Sequence, residues 1–506
     1  MYSKVNTAIM EGMKARMISV EVDISSGMPS MELIGKLSSE VKEAKNRVKT
    51  ALHNCEILLP VKRITINIYP AELPKSGTSF DVPIAIGLLL ALGAVPKTQM
   101  ENTIVFGELA LDGSILPVKG ILPMVKDAWE YGFTRVFVPR ENLMEASLVK
   151  DIKAYGFTHL KEVMEFLKRG TYDAFDKEEE KEVPNKHKDF FEINGQFLGR
   201  RVCEISASGM HNLLFVGPPG AGKTMLAERI PTILPELTER ERLEVAKIYS
   251  VCGLLMGKNS LPKERPFVSL HHATTRIALL GGGNVPRPGA ITLAHNGVLF
   301  MDELTEYPKD TLEALRVPME EHCISINRIN HQVEFPSRFL FVGAMNPCNC
   351  GYYPDMNRCH CSPQNLRRHI EKLSQPLLER IDLCVLTRIA DFSDIVETGR
   401  NESSDTIRKR VCACHEIQRE RYKDEEFSYN SMIPADLIPK YCALSKDEMN
   451  YMKQIYDAKG LTGRSYHKIL RVARTIADME KSEDITIRHL KEAIRFRCLD
   501  RRNWGA

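Results

Sequence analysis

Apolar residues in the first third of the chain recur in short alternating or continuous runs, a pattern typical of β-strands. The runs ITINIYP, IVFGELAL and RVFVP are of this kind, and helical stretches lie between them at Val82–Ala94 and Leu122–Tyr131. This alternation predicts an α+β or α/β domain over residues 1–170.

A charged segment, TYDAFDKEEEKEVPNKHKD over residues 171–189, interrupts the apolar pattern. It has little to bury, so we expect a solvated linker. Apolar runs typical of buried strands return at Asn212–Val216, Val298–Met301 and Phe339–Ala344. Helical stretches separate them, which predicts a mostly parallel sheet over residues 190–390. Strand patterns end near Ile389, and residues 391–506 have a helical pattern with a long helix at Tyr466–Lys481.

Composition narrows the class of protein. The chain has 506 residues, 43% of them apolar and 27% charged, which indicates a soluble globular protein of two or three domains. A net charge of +3 is no polycation, so any nucleic-acid contact needs a local patch. The longest apolar run, Val82–Val95, has 14 residues and is shorter than the roughly 20 of a membrane span. Thirteen cysteines without an export signal favour reduced thiols, and we expect a cytoplasmic protein.

A phosphate-binding pattern, G-x-x-x-x-G-K-[ST], lies between the strand that ends at Val216 and the helical stretch MLAERI. Its glycines let backbone N–H groups converge on phosphate oxygens, and the helix start adds positive potential. In this pattern Lys223 reaches the β- and γ-phosphates of ATP and Thr224 binds Mg²⁺. A glycine-rich turn that serves packing alone is the alternative. The pattern consists of Gly217, Pro218, Pro219, Gly220, Ala221, Gly222, Lys223 and Thr224.

Acidic and amide side chains follow the next apolar strands. Asp302 and Glu303 come directly after Val298–Met301, about 80 residues beyond the phosphate-binding pattern. The carboxyl ends of parallel strands are where ligands bind in open α/β sheets. Asp302 therefore suits the coordination of Mg²⁺ and Glu303 the polarisation of an attacking water. Asn346, at the end of FLFVGAMNP, is a candidate to orient that water.

Arginines later in the chain are candidates to contact the nucleotide. Arg380, in PLLERIDL, stands where the γ-phosphate of a neighbouring subunit would be met, and it carries planar, permanent positive charge. An ion pair with Glu379 or Asp382 is the alternative. Arg464 begins the predicted lid helix and is a candidate nucleotide sensor, with Arg471 as the competing position.

Four of the 13 cysteines fall in NPCNCGYYPDMNRCHCSP, at Cys348, Cys350, Cys359 and Cys361. The spacing C-x-C-x8-C-x-C lets two short pairs close tetrahedrally around Zn²⁺ with thiolate ligands. His360 is an alternative ligand, and unliganded loop cysteines are the alternative interpretation.

Together these motifs resemble the ComM/YifB family of magnesium chelatase-like AAA+ proteins over essentially the whole chain. The stretches that carry the likeness are GMHNLLFVGPPGAGKTMLAERIP, LLGGGNVPRPGAITLAHNGVLFMDEL, AMNPCNCGYY, PLLERIDL and SYHKILRVARTIADM. The resemblance implies a Lon-protease-like N-terminal domain (the ribosomal S5 domain 2-like fold), an AAA+ P-loop core and a C-terminal helical lid. It also implies a homo-hexameric DNA helicase, without a membrane segment, that promotes branch migration during natural transformation.

The Lon-like segment allows a test of peptidase activity. LPKSGTSFDVPIAIGLLLAL is similar to the segment around the Lon nucleophile, with Ser79 at its position. Leu122 occupies the position of the partner lysine, and a serine needs a general base to become nucleophilic. Lys119 and Lys126 lie nearby but would point elsewhere on a helix. We therefore expect no peptidase activity.

Two segments are placed to face the central hole of such a ring. The insert GGGNVPRPGAITLAHNG favours an exposed turn or loop, and HCISINRINHQVEF has the alternation of a hairpin with Asn330 near its turn. Arg287 and Arg328 are the candidates for sequence-independent contacts with single-stranded and branched DNA. Pairing of both arginines with carboxylates of their own subunit is the alternative.

Two other functions share this type of ATPase core: the motor subunit of a metal chelatase and a protein-remodelling chaperone. The Lon-like domain and the four-cysteine loop favour the DNA motor. DNA-stimulated ATP hydrolysis would separate the three.

Overall fold

A mixed β-sheet with helices on both faces forms the N-terminal part of the chain. The computed structural model describes residues 1–170, 172, 188–255, 261–283, 286–328, 331–390 and 401–497. The N-terminal strands are β1 (Tyr2–Glu11), β2 (Lys14–Ser25), β3 (Ser30–Ile34), β4 (Arg63–Tyr69), β5 (Thr103–Val105), β6 (Glu108–Leu109), β7 (Ile115–Leu116), β8 (Arg135–Pro139) and β9 (Lys153–Phe157). The helices are α1 (Ser39–Asn54), α2 (Asp81–Ala91), α3 (Ile121–Glu130), α4 (Leu143–Ala146) and α5 (Leu160–Arg169). The sheet order is β3-β4-β2-β1-β5-β8-β9, and β6 pairs with β7 separately.

Alternation along the strands divides the apolar side chains between the two faces of this sheet. In β8, Val136 and Val138 join the apolar cluster of α3 and α4, whereas Phe137 joins the cluster of α1, α2 and α5. Every residue of α2 is buried, so the longest apolar run of the sequence is a core helix. No helix among the described residues is long and apolar enough to cross a membrane.

The central part of the chain contains a parallel sheet. Its strands and helices are α6 (Phe197–Gly209), β10 (Leu213–Val216), α7 (Lys223–Ile233), α8 (Glu239–Cys252), β11 (Phe267–Leu270), α9 (Arg276–Leu280), β12 (Gly281–Gly282), β13 (Arg287–Pro288), α10 (Ala290–Leu293), β14 (Gly297–Met301), α11 (Lys309–Ala314), α12 (Arg316–Glu321), β15 (Cys323–Arg328), β16 (His331–Pro336), β17 (Phe339–Met345), α13 (Pro363–Glu371), α14 (Gln375–Leu378) and β18 (Leu383–Leu386). Five of these strands lie in the order β11-β14-β17-β10-β18, and each neighbouring pair is parallel. This confirms the predicted parallel sheet and brings the carboxyl ends of β10, β14 and β17 together.

Two antiparallel hairpins project from this core. The predicted hairpin before β17 is present as β15 paired with β16, and residues 329–330 at its turn, including Asn330, lie outside the described residues. The glycine-rich insert is only partly the exposed loop that the sequence predicts. It forms a short ribbon, β12 with β13, and then a helical turn, α10, in which Ile291 and Thr292 are buried.

The C-terminal part is helical, with α15 (Ser404–Arg421), α16 (Ile438–Tyr441), α17 (Lys446–Lys459), α18 (Gly463–Met479) and α19 (Ile487–Arg495). No strand lies within residues 401–497, the part of this region that the structure describes. These helices share one apolar cluster with α6, α7 and the central sheet. Ion pairs join the two parts at Arg410–Glu204 (2.5 Å) and Arg201–Glu492 (2.8 Å).

The N-terminal part packs on the central part through α3 and α8. The hydroxyl of Ser250 accepts a hydrogen bond from the Leu122 N–H (3.2 Å), and the Ser250 carbonyl accepts one from the Gly120 N–H (3.0 Å). Leu122 is fully buried in this junction, and Lys126 pairs with Glu130 at 3.9 Å. The linker predicted over 171–189 falls mostly outside the described residues. Within its range, the Asp189 carboxylate accepts hydrogen bonds from Phe191 and Ser404.

Candidate nucleotide site

The loop that joins β10 to α7 has the backbone of a phosphate cradle. Gly220 and Gly222 have φ of +79° and +73°, a region that side chains other than glycine rarely adopt. A Cβ on Gly217 would lie 2.6 Å from the Thr387 carbonyl oxygen, so the neighbouring backbone leaves room only for glycine. The first N–H groups of α7 have no partner within the helix and are directed to this loop.

Lys223 is buried at the start of α7, and its ammonium group caps the loop. It donates hydrogen bonds to the carbonyl oxygens of Gly217 (2.7 Å) and Pro218 (2.9 Å) and to Oδ1 of Asn346 (3.1 Å). Burial lowers the pKa of Lys223, and the Asp302 and Glu303 carboxylates oppose this shift. Three neutral oxygen atoms thus hold a cation that a phosphate anion would bind more strongly.

Thr224 and Asp302 form a pair of hard oxygen donors beside Lys223. The Thr224 hydroxyl donates to Oδ2 of Asp302 at 2.8 Å, across the gap between the start of α7 and the end of β14. Both side chains reach solvent. Mg²⁺ prefers hydroxyl and carboxylate oxygens and keeps several waters, so this donor set fits the ion. The predicted Thr224–Asp302 pairing is therefore present in the geometry.

Glu303 stands at a sharp turn after β14. Its φ is +49°, which is uncommon for a residue with a side chain, and its N–H donates to Oδ1 of Asp302 at 2.8 Å. The Glu303 carboxylate lies 3.3 Å from Nδ1 of His272. Burial, together with the Asp302 and Glu303 carboxylates, raises the pKa of Tyr307, whose hydroxyl donates to the Leu270 carbonyl at 2.7 Å. Backbone strain of this kind is concentrated at functional sites.

Asn346 is held by a histidine as well as by Lys223. Nε2 of His369, on α13, lies 2.9 Å from the Asn346 carbonyl oxygen, and Nδ1 lies 2.9 Å from the Asn349 side chain. Burial lowers the pKa of His369. A neutral imidazole satisfies both contacts when Nε2–H donates to the carbonyl and the Asn349 amide donates to Nδ1. Asn346 is thereby fixed at the end of β17.

The four predicted cysteines converge beside this site. The sulfur atoms of Cys348, Cys350, Cys359 and Cys361 all lie within 4.8 Å of one another, and the four thiols are free of disulfides. Tetrahedral zinc with Zn–S bonds of about 2.3 Å needs sulfur atoms about 3.8 Å apart. Three of the pairs lie at 3.2, 3.6 and 3.8 Å, so the cluster fits such an ion.

The details of this cluster exclude one alternative and connect it to the phosphate loop. His360 is not part of the converging group, which corrects its role as an alternative ligand. Burial opposes ionisation of Cys350, but hydrogen bonds from the Tyr352 backbone and from neighbouring thiols lower its pKa to about 6. A Cβ on Gly351 would lie 2.7 Å from Cδ of Pro219, so the cysteine loop packs directly on the phosphate loop.

Arg380 and Arg464 lie together in a cleft that shares no residue with the phosphate loop. This cleft is lined by Glu320, Glu379, Arg380, Ala435, Arg464, His467, Lys468 and Arg471. Arg380 pairs with Glu320 at 2.6 Å, so the predicted alternative partners Glu379 and Asp382 were wrong. Glu379 pairs instead with Arg464 (2.7 Å), and Asp382 pairs with the buried Lys468 (2.6 Å).

The two candidate sensors differ in accessibility within this cleft. The Arg464 side chain is 75% exposed, whereas Arg471 is partly buried and donates to the Ile433 carbonyl. Burial lowers the pKa of Arg471. The accessible guanidinium beside Arg380 is therefore that of Arg464.

The candidate DNA contacts lie on the two hairpins. Arg287 is an exposed residue of β13, near the end of α8, where it and Lys119 oppose the rise in the pKa of Cys252 caused by burial. Arg328 is the last residue of β15, and its side chain lies outside the described part of the chain.

Two histidines of the site escape prediction from sequence. His272 follows β11, so the rule that selected Asp302 at a strand end applies to it as well. His369 lies on a helix with no motif around it, and only the packing of α13 against β17 reveals its contact with Asn346.

Comparisons with known proteins cover nearly the whole chain. Family models match at residues 189–395 (magnesium chelatase, subunit ChlI), 20–142 (subunit ChlI of Mg-chelatase) and 401–497 (magnesium chelatase, subunit ChlI C-terminal). The chain is 38% identical to uncharacterized protein YifB of Salmonella typhimurium, over 98% of this chain and 97% of that protein. It is also 38% identical to competence protein ComM of Haemophilus influenzae, over 97% and 96% of the two chains. A Lon protease of Finegoldia magna is 27% identical over 29% of this chain and 20% of its own.

Proposed function

Because the chain belongs to the ComM/YifB family of magnesium chelatase-like proteins, we propose that it is a ring-forming ATPase that moves DNA. Its specific role is that of a hexameric branch-migration helicase in the recombination of incoming DNA. The observation that carries the ATPase function is the convergence of Lys223, Asp302 and Asn346 at the carboxyl ends of adjacent parallel strands. The name of the Haemophilus relative supports a role in competence.

Each side chain of the nucleotide site has a role in this proposal. The Lys223 ammonium exchanges its neutral oxygen partners for phosphate oxygens of ATP. Thr224 and Asp302 would hold Mg²⁺, which neutralises phosphate charge when bound. Glu303 takes the proton of the attacking water and Asn346 orients that water. Pre-positioned groups of this kind lower the barrier without reorganising during the reaction.

Arg380 and Arg464 act on the nucleotide of a neighbouring subunit. Their common cleft, apart from the phosphate loop of the same chain, supports a role in trans. The pairing of each arginine with a carboxylate keeps it extended and oriented in the single subunit. A γ-phosphate that enters the cleft replaces these carboxylates as the partner of the guanidinium groups.

The two hairpins contact the DNA. Exposure of Arg287 on the β12–β13 ribbon supports a phosphate contact, and Arg328 is the corresponding position on β15. Contacts of this kind bind single-stranded and branched DNA through the backbone and weaken as salt rises.

The four cysteines hold a zinc ion. Their sulfur spacing and the free state of the thiols support a tetrahedral structural site. Cys348 follows Asn346 by two residues and Gly351 packs on Pro219, so a bound ion stabilises the loops on both sides of the phosphate site.

ATP hydrolysis measured with and without DNA tests the proposal. The wild-type protein is incubated with ATP and Mg²⁺ alone, with single-stranded DNA, and with a labelled four-way junction whose arms can migrate. We expect DNA to stimulate hydrolysis and the junction to be resolved only with ATP, and Lys223→Ala to remove both. Hydrolysis that DNA does not change would favour a metal-chelatase motor or a protein-remodelling chaperone, and the DNA function would then be wrong.

A further inference from the structure

The proposed general base is in contact with a histidine. Nδ1 of His272 lies 3.3 Å from Oε2 of Glu303, and the two side chains are 40% and 57% exposed. We propose that His272 is a positioning residue that restrains Glu303 until DNA binds to the neighbouring insert. This inference rests on the proposed function, since it assigns a regulator to the same site.

The contact makes Glu303 a weaker base than a free carboxylate. A general base must direct a lone pair at the proton of the attacking water. A nearby imidazole N–H or imidazolium occupies that carboxylate and stabilises its ionised form, which reduces its tendency to take a proton. The other ionisable groups around Glu303 are Lys223, Asp302 and Tyr307, and all three are needed for the site or buried behind it. His272 is the neighbour that can leave without dismantling the phosphate cradle.

The chain connects His272 directly to a candidate DNA contact. His272 lies between β11 and α9, and the Thr275 hydroxyl caps α9 by accepting from the Ala278 N–H (3.2 Å). Helix α9 continues into β12, which pairs with β13 and so with Arg287. His272 and Arg287 are therefore the two ends of one short structured segment. DNA bound at Arg287 is in a position to displace the histidine at the other end.

Restraint of the base predicts that loss of the histidine speeds hydrolysis in the absence of DNA. A partly exposed charged contact contributes at most about 1 kcal/mol, so His272→Ala should raise kcat without DNA by about two- to five-fold. The KM for ATP should stay unchanged, because His272 does not contact the phosphate loop. Stimulation by DNA should fall by the same factor, since part of the restraint that DNA removes is already absent.

Two further variants separate positioning from packing. His272→Asn keeps an N–H donor near the position of Nδ1 and should restore most of the low basal rate. His271→Ala removes the adjacent histidine, whose Nδ1 accepts from the Ala273 N–H and whose ring lies 4.0 Å from that of His272, measured between centroids. It leaves Glu303 untouched and should change the basal kcat less than His272→Ala does.

The experiment is steady-state hydrolysis of ATP by the full-length chain and these variants, with and without single-stranded DNA. A basal kcat that rises in His272→Ala and returns in His272→Asn supports the inference. A basal kcat that is unchanged or lower in His272→Ala, at unchanged KM, overturns it. The wild-type rate and its response to DNA test the proposed function separately, because the inference depends on the ratio of variant to wild type without DNA.

Discussion

Gly12 faces Val333 so closely that a Cβ on Gly12 would lie 2.1 Å from Cγ1 of the valine. Gly12 forms the turn between β1 and β2 with a φ of +65°, and Val333 is buried in β16. Met13 packs against the same apolar cluster as Val333. The tip of the first hairpin therefore rests on the hairpin that carries Arg328, and the N-terminal part of the chain braces a candidate DNA-binding element.

This contact predicts that Gly12→Ala destabilises the protein. The added methyl group must displace Val333, and the positive φ disfavours any side chain, for a combined cost of about 2–4 kcal/mol. Gly93→Ala is the matched control, because Gly93 has a φ of +72° and no atom within 4 Å of its Cβ position. Thermal unfolding of both variants measures the difference. Equal losses of stability would mean that Gly12 and Val333 are not in contact, whereas adding Val333→Ala should relieve part of the Gly12→Ala loss.

Binding and hydrolysis of ATP should separate at Lys223 and Glu303. Lys223→Ala removes the cation of the phosphate loop and should abolish binding of a fluorescent ATP analogue. Glu303→Gln keeps the cradle and should bind the analogue normally while hydrolysing ATP at least about 100-fold more slowly. Lys42→Ala, on the exposed face of α1, is the control. Normal nucleotide affinity in Lys223→Ala would contradict the assigned site.

Arg380 should act across a subunit boundary. Arg380→Ala should bind ATP and lose about 100-fold or more in kcat, since it removes charge that stabilises the transition state. A mixture of Arg380→Ala with Lys223→Ala subunits should regain activity, because some junctions then combine an intact phosphate loop with an intact arginine. Arg488→Ala, an exposed arginine of α19 paired with Glu480, should hydrolyse ATP normally. Folded variants that assemble together but stay inactive would rule out action in trans.

Metal analysis should find about one zinc ion per chain. Cys350→Ser removes a thiol of the cluster and should lose the ion, and ATP affinity should fall because the loop beside Pro219 is released. Cys412→Ser and His360→Ala should both retain zinc, since neither residue belongs to the converging group. Protein purified without chelators that contains no zinc, yet binds ATP normally, would contradict the site.

The sequence predicted those residues of the site whose chemistry is encoded in a contiguous motif or at a strand end. Lys223 and Thr224 lie in such a motif, and Asp302 and Asn346 follow apolar runs that became neighbouring strands. The partner of Arg380 was beyond reach, because Glu320 is 60 residues away and meets it only through the packing of α12 beside α14.

Short apolar patterns inside a glycine-rich segment were also misleading. The insert around Arg287 was predicted as an exposed loop from its glycines and prolines, yet Ile291 is buried in the core. Its four-residue apolar stretch is too short for periodicity to show a helix. The same limit applies to His272, whose importance comes from the proximity of β11 and β14 in the sheet rather than from any pattern in its own segment.

His415 should make the stability of the protein depend on pH. It is buried on α15, where its Nε2 lies 2.8 Å from the Ala207 carbonyl oxygen, and burial lowers its pKa to about 4 from an ordinary 6.5. Between these two values the unfolded chain binds a proton that the folded chain does not. The free energy of unfolding should therefore fall by about 3 kcal/mol as the pH falls from 6.5 to 4, and this contribution is fully present above pH 6.5.

The change His415→Gln isolates this contribution from all other titrating groups. Glutamine keeps an N–H for the Ala207 carbonyl but does not titrate, so the variant should lose less stability than the wild type as the pH is lowered from 7 to 4.5. His53→Gln, at an exposed position of α1, should follow the wild type. The midpoint of urea unfolding at several pH values measures all three proteins. Parallel loss of stability in the wild type and His415→Gln would mean that His415 binds its proton equally well in the folded and unfolded chains.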